Sequence, residues 1–513
     1  MRKPYLDFLG TNGMLVDNIE AQVSEVYENA KIAEKEIKAL SISERIKYLD
    51  NLQQVLIDNM NKVLDAIQAE TFKARVDILT SEVYGPIDFL NFLKDNAVKG
   101  LADKKVKTPL ALMGKKSLII KEPMGTVLLI CPWNYPFFNA IVQSATTFIC
   151  GNATIFKPSE VTPLKGLLEE IYEKAGFKKD WIQVVYGDGQ VGSKLIDGKP
   201  DKVCFTGSVE TGKKIMAQAA KDLIPLGLEL GGKDPMVVFE DANIHQATSG
   251  ALWGGLIASG QSCTSVERLM VHESIYADFK KLLIKKANKI RVSKDTGPEV
   301  EMGPMITRFQ VNIIKTQVED ALAKGAKMLV GEKWDRESSE IPPIILEGVT
   351  KEMLVWDEES FGPIIPIYAF KTEEQALEMA NDSQFGLSIS VWSKNTKRCL
   401  DFARKVKTGN VSINNVMLSE GNGYLPFGGT KLSGFGRYKG MAGFDAFSNS
   451  KSVIMNSASE NVEAHWFPFT TEKYNLFKKL MDALFKKKGI MKFVSMALIA
   501  MKLEGYSNKE SKK

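Results

Sequence analysis

Thr126-Val127-Leu128-Leu129-Ile130-Cys131-Pro132-Trp133-Asn134-Tyr135-Pro136 is the stretch from which the fold is read: a β-rich apolar run that ends in a turn flanked by prolines. Downstream, similar runs recur at Thr154–Lys157, Trp181–Tyr186, Lys202–Thr206 and Pro235–Phe239, separated by helix-length stretches such as Pro163–Ala175. Strand and helix in alternation imply a parallel sheet wrapped by helices. A second alternation follows Cys263, through Leu269–His272, Met328–Val330, Ile364–Ala369, Ser388–Trp392 and Asn410–Ile413, so two α/β domains are expected. Upstream, from about Asn18 to Leu101, the pattern is helical, with Ser41 and Glu44 spaced as a capping box before Ile46, Leu49, Leu52 and Leu56. Lys115–Lys121 and Ser448–Met455 read as isolated strands that either edge their own sheet or pair with another subunit; periodicity does not separate the two.

The chain has 513 residues, 44% of them hydrophobic and 25% charged, which is globular in proportion and long enough for two or three domains around a large core. Its 67 basic and 62 acidic side chains leave +5, too weak a field to argue for nucleic acid, and much of it lies in the last forty residues. The opening Met1 to Leu9 has charge but no continuous apolar core, so export is not expected and a cytoplasmic location is. Five cysteines (Cys131, Cys150, Cys204, Cys263 and Cys399) and three histidines (His245, His272 and His465) are dispersed, which indicates neither a zinc site nor a disulfide framework. A Cys-His hydrolase is equally poorly served, so any cysteine chemistry must use another base.

Gly187-Asp188-Gly189-Gln190-Val191-Gly192 is a literal G-x-G-x-x-G after a predicted strand, but chance matches are common in a chain with 40 glycines. Phe205-Thr206-Gly207-Ser208-Val209-Glu210-Thr211-Gly212 is the better phosphate candidate, because there a strand ends in a Gly-Ser turn that opens a helix and its amides can face an anion.

Three side chains stand out, each with a bland alternative. Cys263 lies in a loop of small residues after the apolar run Ala251–Ile257, where it is either a buried, inert thiol or one projecting into a cleft. Glu229, between Leu228 and Leu230, is either a solvated charge at a strand end or a carboxyl whose apolar setting raises its pKa into the range of a base. Asn134 is a turn former or an amide donor.

The motifs Pro132-Trp133-Asn134-Tyr135-Pro136, Lys157-Pro158-Ser159-Glu160, Leu228-Glu229-Leu230-Gly231-Gly232-Lys233, Gly260-Gln261-Ser262-Cys263, Glu359-Ser360-Phe361-Gly362-Pro363 and Pro426-Phe427-Gly428-Gly429 occur in this order. From about residue 20 to 455 the chain thereby resembles the aldehyde dehydrogenase superfamily. The resemblance implies a Rossmann-type parallel-sheet cofactor domain (1–102 and 124–231), an α/β catalytic domain (232–445) and small oligomerisation strands (103–123 and 446–460), with 461–513 as a tail. It implies oxidation of an aldehyde to the acid: the Cys263 thiolate attacks to give a thiohemiacetal, hydride leaves to a nicotinamide dinucleotide, and water activated by Glu229 hydrolyses the thioester. Asn134 and the Cys263 backbone N–H would hold the oxyanion. The other four cysteines read as packing residues.

By the same resemblance Lys157 and Glu160 hold the adenosine ribose, Gly207, Ser208 and Gly212 meet the pyrophosphate, Glu359 binds the nicotinamide ribose, Phe361 packs near the ring, and Trp133 and Leu230 line the cofactor site. Glu160 favours NAD, with NADP as the alternative acceptor. A homodimer or homotetramer is implied. Gln143 departs from the pattern, standing where many members carry a lysine, so a proton route through that lysine is not assumed. A CoA-acylating enzyme or thioesterase on the same fold, and a silent relative, stay as alternatives; the first typically lacks Glu229, and the second would have lost Cys263 or Asn134.

After His465, residues Phe477, Leu480, Met481, Leu484 and Phe485 fall at helical spacing among Lys478, Lys479 and Lys486 to Lys488, a basic amphipathic helix. A second apolar run, Ile490 to Leu503, is too short to span a bilayer, for which ~20 residues are needed. Packing against protein is the expectation for this tail, ahead of membrane association.

Overall fold

A computed structural model describes residues 6–7, 19–109, 112, 114–295, 297–458, 461–486 and 488–511. Apart from Leu6–Asp7, the opening stretch read for export lies outside the described residues. The chain divides into two compact units, 1–102 with 121–451, and 103–120 with 452–513.

In the first unit, strands β1 (Thr126–Ile130), β2 (Ala153–Lys157), β3 (Ile182–Tyr186), β4 (Lys202–Thr206) and β5 (Leu226–Glu229) form a parallel sheet in the order β3-β2-β1-β4-β5. Leu6–Asp7 edges it beside β3, and the antiparallel Gly434–Phe435 beside β5. Every residue of β1, β2 and β3 is buried, as expected for strands covered on both faces. The chain runs outward from β1 to β3, then returns to the other side of β1, so the strand order reverses between β1 and β4, where open α/β sheets leave a crevice for ligands. Register brings the crevice residues to one edge: Ile130 faces Lys157 on one side and Phe205 on the other, and Thr206 faces Glu229.

The second sheet has β6 (Asp234–Val238), β7 (Val266–His272), β8 (Lys327–Val330), β9 (Ile344–Glu347), β10 (Ile364–Phe370), β11 (Ser388–Trp392) and β12 (Asn410–Ile413), in the order β8-β9-β10-β7-β6-β11-β12. All its pairs are parallel except β8 with β9. The predicted strands are found; besides the short edge strands, each of the two large sheets gains one strand that was not predicted. Leu226–Glu229 escapes a pattern reading because Pro225 and Gly227 interrupt it, and Ile344–Glu347 because Pro342-Pro343 precede it. The helix expected over Pro163–Ala175 is shorter, Leu167–Lys174, since Leu164 and Gly166 take left-handed φ of 47° and 81° and make a turn first.

The helical N-terminal segment holds Ile19–Ala39, Ile42–Asp58, Met60–Thr71 and Gly85–Leu101, with the Ser41–Glu44 capping box formed in both directions. Between the last two lies a π-helical turn, Ile78–Tyr84. A small three-stranded sheet has the order Ser448–Met455, Lys116–Pro123, Lys104–Val106, and the second unit carries two helices, Thr471–Phe485 and Gly489–Ser511.

Candidate active site

Asn134 sits in the turn between β1 and helix α1 (Pro136–Ile149). It is buried, and its Nδ2 donates to the Gln261 carbonyl at 3.0 Å, which ties this turn to the loop carrying Cys263. That loop is held in an unusual course. Ala258, Ser259 and Gly260 are successively left-handed, with φ of 52°, 57° and 75°. For the two residues with a Cβ this costs on the order of 1 kcal/mol each, and it persists only where the surroundings enforce it. Here Asp77 accepts the Ala258 amide at 3.1 Å, Ser259 donates to the Gly303 carbonyl, and Gln261 receives the Ile306 amide. A Cβ on Gly260 would stand 2.2 Å from the Gly362 carbonyl oxygen, so only glycine fits.

Cys263 is half-buried, the most accessible of the five cysteines, and the other four are buried. Burial pushes its thiol well up, and the carboxylates of Glu420, Glu359, Asp234 and Glu229 push it further. Glu229 ends β5 on the other side of the site; it is buried, and its Oε2 has no hydrogen-bond partner among the described residues. Burial holds this carboxyl well above the usual range, with Arg437 and Lys439 partly opposing the shift. It is not the solvated strand end that the bland reading allowed. A carboxylate whose proton affinity is raised by burial is suited to take a proton from a nearby water.

Glu359 accepts the Gly232 amide at 3.0 Å, and its acidity is displaced to about 8 by burial and then by the charge of Glu267. Glu267 makes a buried ion pair with Lys233 at 2.7 Å and receives the amides of Ser360 and Phe361, fixing the turn on which Phe361 stands with φ 46°. The rings of Phe361 and Trp133 meet edge to face at 5.3 Å.

At the β2 end, Lys157 is buried, donates to the Pro158 carbonyl at 3.0 Å, and stands 3.6 Å from Glu160, whose side chain is about half exposed (48%). Gly207 donates to the Glu229 carbonyl, and Ser208 caps helix α2 (Val209–Ala219) by accepting from Thr211. A Cβ on Gly212 would press on buried Leu230, so α2 packs closely there. These residues fit a nicotinamide dinucleotide: a helix of eleven residues opens at the switch point, and an exposed carboxylate lies two strands away. In the G-x-G-x-x-G stretch, by contrast, the amides of Gln190 and Val191 already bond to Asp188, and Gly192 packs on the Lys157 stem.

Gln143 is buried and points to Thr206 at 3.4 Å, in a small cavity shared with Cys204, Glu229, Arg437 and Tyr438. A neutral amide therefore stands behind the Glu229 carboxyl.

Sequence reading missed a second set of charged groups. Thr264 donates to half-buried Glu420 at 2.6 Å, and Lys439 donates to the Glu420 carbonyl at 2.5 Å while lying over the rings of Phe138, Phe427 and Tyr438. Burial displaces Glu420 up to about 7 and Lys439 down to about 8. Lys73 and Glu82 form a fully buried pair at 2.6 Å; Glu82 also accepts the Phe137 and Phe138 amides at the start of α1, and Lys73 lies 3.6 Å from the centre of the Tyr135 ring. Nothing in a sequence distinguishes such buried charges from solvated ones.

A family model described as the aldehyde dehydrogenase family matches residues 14–453. The chain is 37% identical over 456 residues to a 4,4'-diapolycopene aldehyde oxidase of Methylomonas sp, covering 88% of this chain and 85% of that one. It is 35% identical over 453 residues to the 4-trimethylaminobutyraldehyde dehydrogenase of Rattus norvegicus, covering 85% and 89%. A solved aldehyde dehydrogenase of Brucella melitensis biovar abortus 2308 superposes with a TM-score of 0.81 at 31% identity, covering 86% of this chain and 90% of that one.

Proposed function

The chain belongs to the aldehyde dehydrogenase family and oxidises an aldehyde to the carboxylic acid with NAD or NADP, and we propose that Cys263, Glu229 and Asn134 carry the chemistry. The observation that supports this most directly is the hydrogen bond from Asn134 to Gln261, which brings an amide donor and the loop of the accessible cysteine to one point. Cys263 adds as its thiolate to the aldehyde carbon, and the oxyanion that forms takes hydrogen bonds from the Asn134 amide and the Cys263 N–H. The dinucleotide, when bound, accepts the hydride. Glu229 then removes a proton from water, which attacks the thioester and releases the acid, and the proton held by Glu229 passes to solvent.

In this reading the sheet β1–β5, with its flanking helices, binds the dinucleotide, and residues 232–445 carry the nucleophile. Lys157 and Glu160 hold the adenosine ribose, Gly207, Ser208 and Gly212 the pyrophosphate, Glu359 the nicotinamide ribose, and Trp133, Leu230 and Phe361 the ring side. Glu160 makes NAD the favoured acceptor. The exposed edge strand Ser448–Met455 supports a homodimer or homotetramer built by sheet extension. All five cysteines are free, in keeping with a reducing, cytoplasmic setting.

Pre-steady-state kinetics with two variants test the assignment. Cys263→Ala is expected to give no reduced cofactor. Glu229→Gln is expected to give a burst of up to about one reduced cofactor per site, followed by slow turnover, with an acyl adduct on Cys263 in the quenched protein. Wild-type turnover by Glu229→Gln, or its rescue by CoA with acyl-CoA as product, would replace hydrolysis with acyl transfer.

A further inference from the structure

Residues 461–513 hold eleven lysines against five acidic side chains, an excess larger than the +5 of the whole chain. They fold as two helices, α3 (Thr471–Phe485) and α4 (Gly489–Ser511), which pack on one another. Leu476, Ala483, Met496 and Leu503 are buried, and Thr470 with Tyr506 and Val462 with Asn508 are hydrogen bonded, at 2.9 and 2.7 Å.

What this hairpin leaves outward is not the polar face that a surface helix ordinarily shows. Ile490, Val494, Leu498 and Met501 recur along one stripe of α4 and are all exposed, as is Phe493 beside them. Phe485, at the adjoining end of α3, is 79% exposed and Ile490 82%. Exposed Lys486, Lys488 and Lys502 stand at the ends of this stripe. The buried positions serve the hairpin, and an apolar stripe remains on its outer side. Among the described residues no helix is long and apolar enough to cross a membrane. An apolar stripe bordered by lysines on such a helix suits the boundary between lipid headgroups and acyl chains, where apolar side chains enter and ammonium groups stay with the phosphates. A second copy of the same face would bring like charges together, which disfavours self-pairing.

We propose that the 471–511 hairpin docks this enzyme on an anionic lipid bilayer, with Phe485, Ile490, Phe493, Val494, Leu498 and Met501 inserted and the surrounding lysines on lipid phosphates. This rests on the tail alone and holds whatever the aldehyde is. The test is co-sedimentation of the full-length protein with vesicles of phosphatidylcholine alone, or mixed with phosphatidylglycerol, at low salt and at about 0.5 M salt, where surface charges are screened within a few ångströms. Binding is expected only to the mixed vesicles, weakened by salt, and reduced by about tenfold or more in the Phe493→Glu, Leu498→Glu double variant. Unchanged oxidation of a water-soluble aldehyde and an unchanged circular dichroism spectrum show that the variant is folded; if it is not, Phe493→Ser is the substitute. Absence of binding to mixed vesicles overturns the proposal, as does binding indifferent to both salt and the substitutions. A drop in the lipid-free oligomeric mass of the variant overturns it too, because the stripe is then a subunit interface.

Discussion

Thr264, the residue after Cys263, donates its hydroxyl to the half-buried carboxylate of Glu420 at 2.6 Å, and the carbonyl of the same Glu420 receives the ammonium of Lys439 at 2.5 Å. The Cys263 loop is thus linked through one residue to a buried cation. Lys439 is held down to about 8 by burial, and the charges of Glu420, Cys263 and Glu229 oppose that shift. Removing this cation leaves the thiol facing only carboxylates. Lys439→Met is expected to slow alkylation of Cys263 by iodoacetamide near pH 8 by about tenfold, one unit of thiol pKa, whereas Lys439→Arg keeps most of the wild-type rate. An alkylation profile identical to wild type in Lys439→Met would remove Lys439 from any part in activating the thiol.

Glu359 gives the protein a pH dependence of stability. Its folded carboxyl holds a proton up to about pH 8, against the ordinary 4.5, so between these values the folded state binds more protons than the unfolded state. Stability therefore falls as pH rises through that window, by on the order of a few kcal/mol, and is flat with respect to this group below it. Thermal melts of the cofactor-free protein are expected to show a lower midpoint at pH 8 than at pH 5. Glu359→Gln, which does not titrate, is expected to flatten the difference; an equally steep profile in the variant would place the effect elsewhere.

The Lys73–Glu82 pair is the most completely buried ion pair beside the Asn134 turn. Lys73→Met strands the Glu82 charge with only the Phe137 and Phe138 amides to satisfy it, which costs about 3–5 kcal/mol. The double variant Lys73→Met, Glu82→Gln removes both charges and is expected to recover part of that loss. Urea denaturation measures both; equal losses would mean that packing around Tyr135 dominates over charge.

Gly232 lies against the Cys263 backbone, where an added Cβ would stand 2.3 Å from the Cys263 carbonyl oxygen. Gly232→Ala must displace the loop. We expect kcat to fall by about a hundredfold with little change in KM for the dinucleotide, since a misplacement of about 1 Å suffices for such a loss. Wild-type kcat in this variant would show that the loop relaxes without cost.

Glu160 is exposed beside buried Lys157. If Glu160 is the charge that repels a 2′-phosphate, Glu160→Gln is expected to lower the ratio of kcat/KM for NAD over NADP by about tenfold or more. If the ratio does not move, the selectivity lies in residues other than Glu160.

The sequence by itself determined the two largely parallel sheets, because strands covered on both faces must be continuous apolar runs such as Thr126–Ile130, and it determined which few polar residues to ask about, because chemistry needs particular groups. Local pattern also placed the Ser41–Glu44 cap and the Gly207–Ser208 helix start, both of which depend only on neighbours in the chain. Tertiary structure alone decided the rest. That Glu229 is buried with an unpartnered oxygen follows from what covers β5, including Arg437 and Lys439 some two hundred residues later, and no local pattern states that. The left-handed course of Ala258 and Ser259 is imposed by Asp77, the cation near Cys263 comes from Lys439, and the stripe left bare on the last helix is defined by which side the hairpin buries. Local structure depends on residues three or four apart. Burial, and with it the acidity and reactivity of a side chain, depends on every segment that folds over it, and this is where sequence reading stopped.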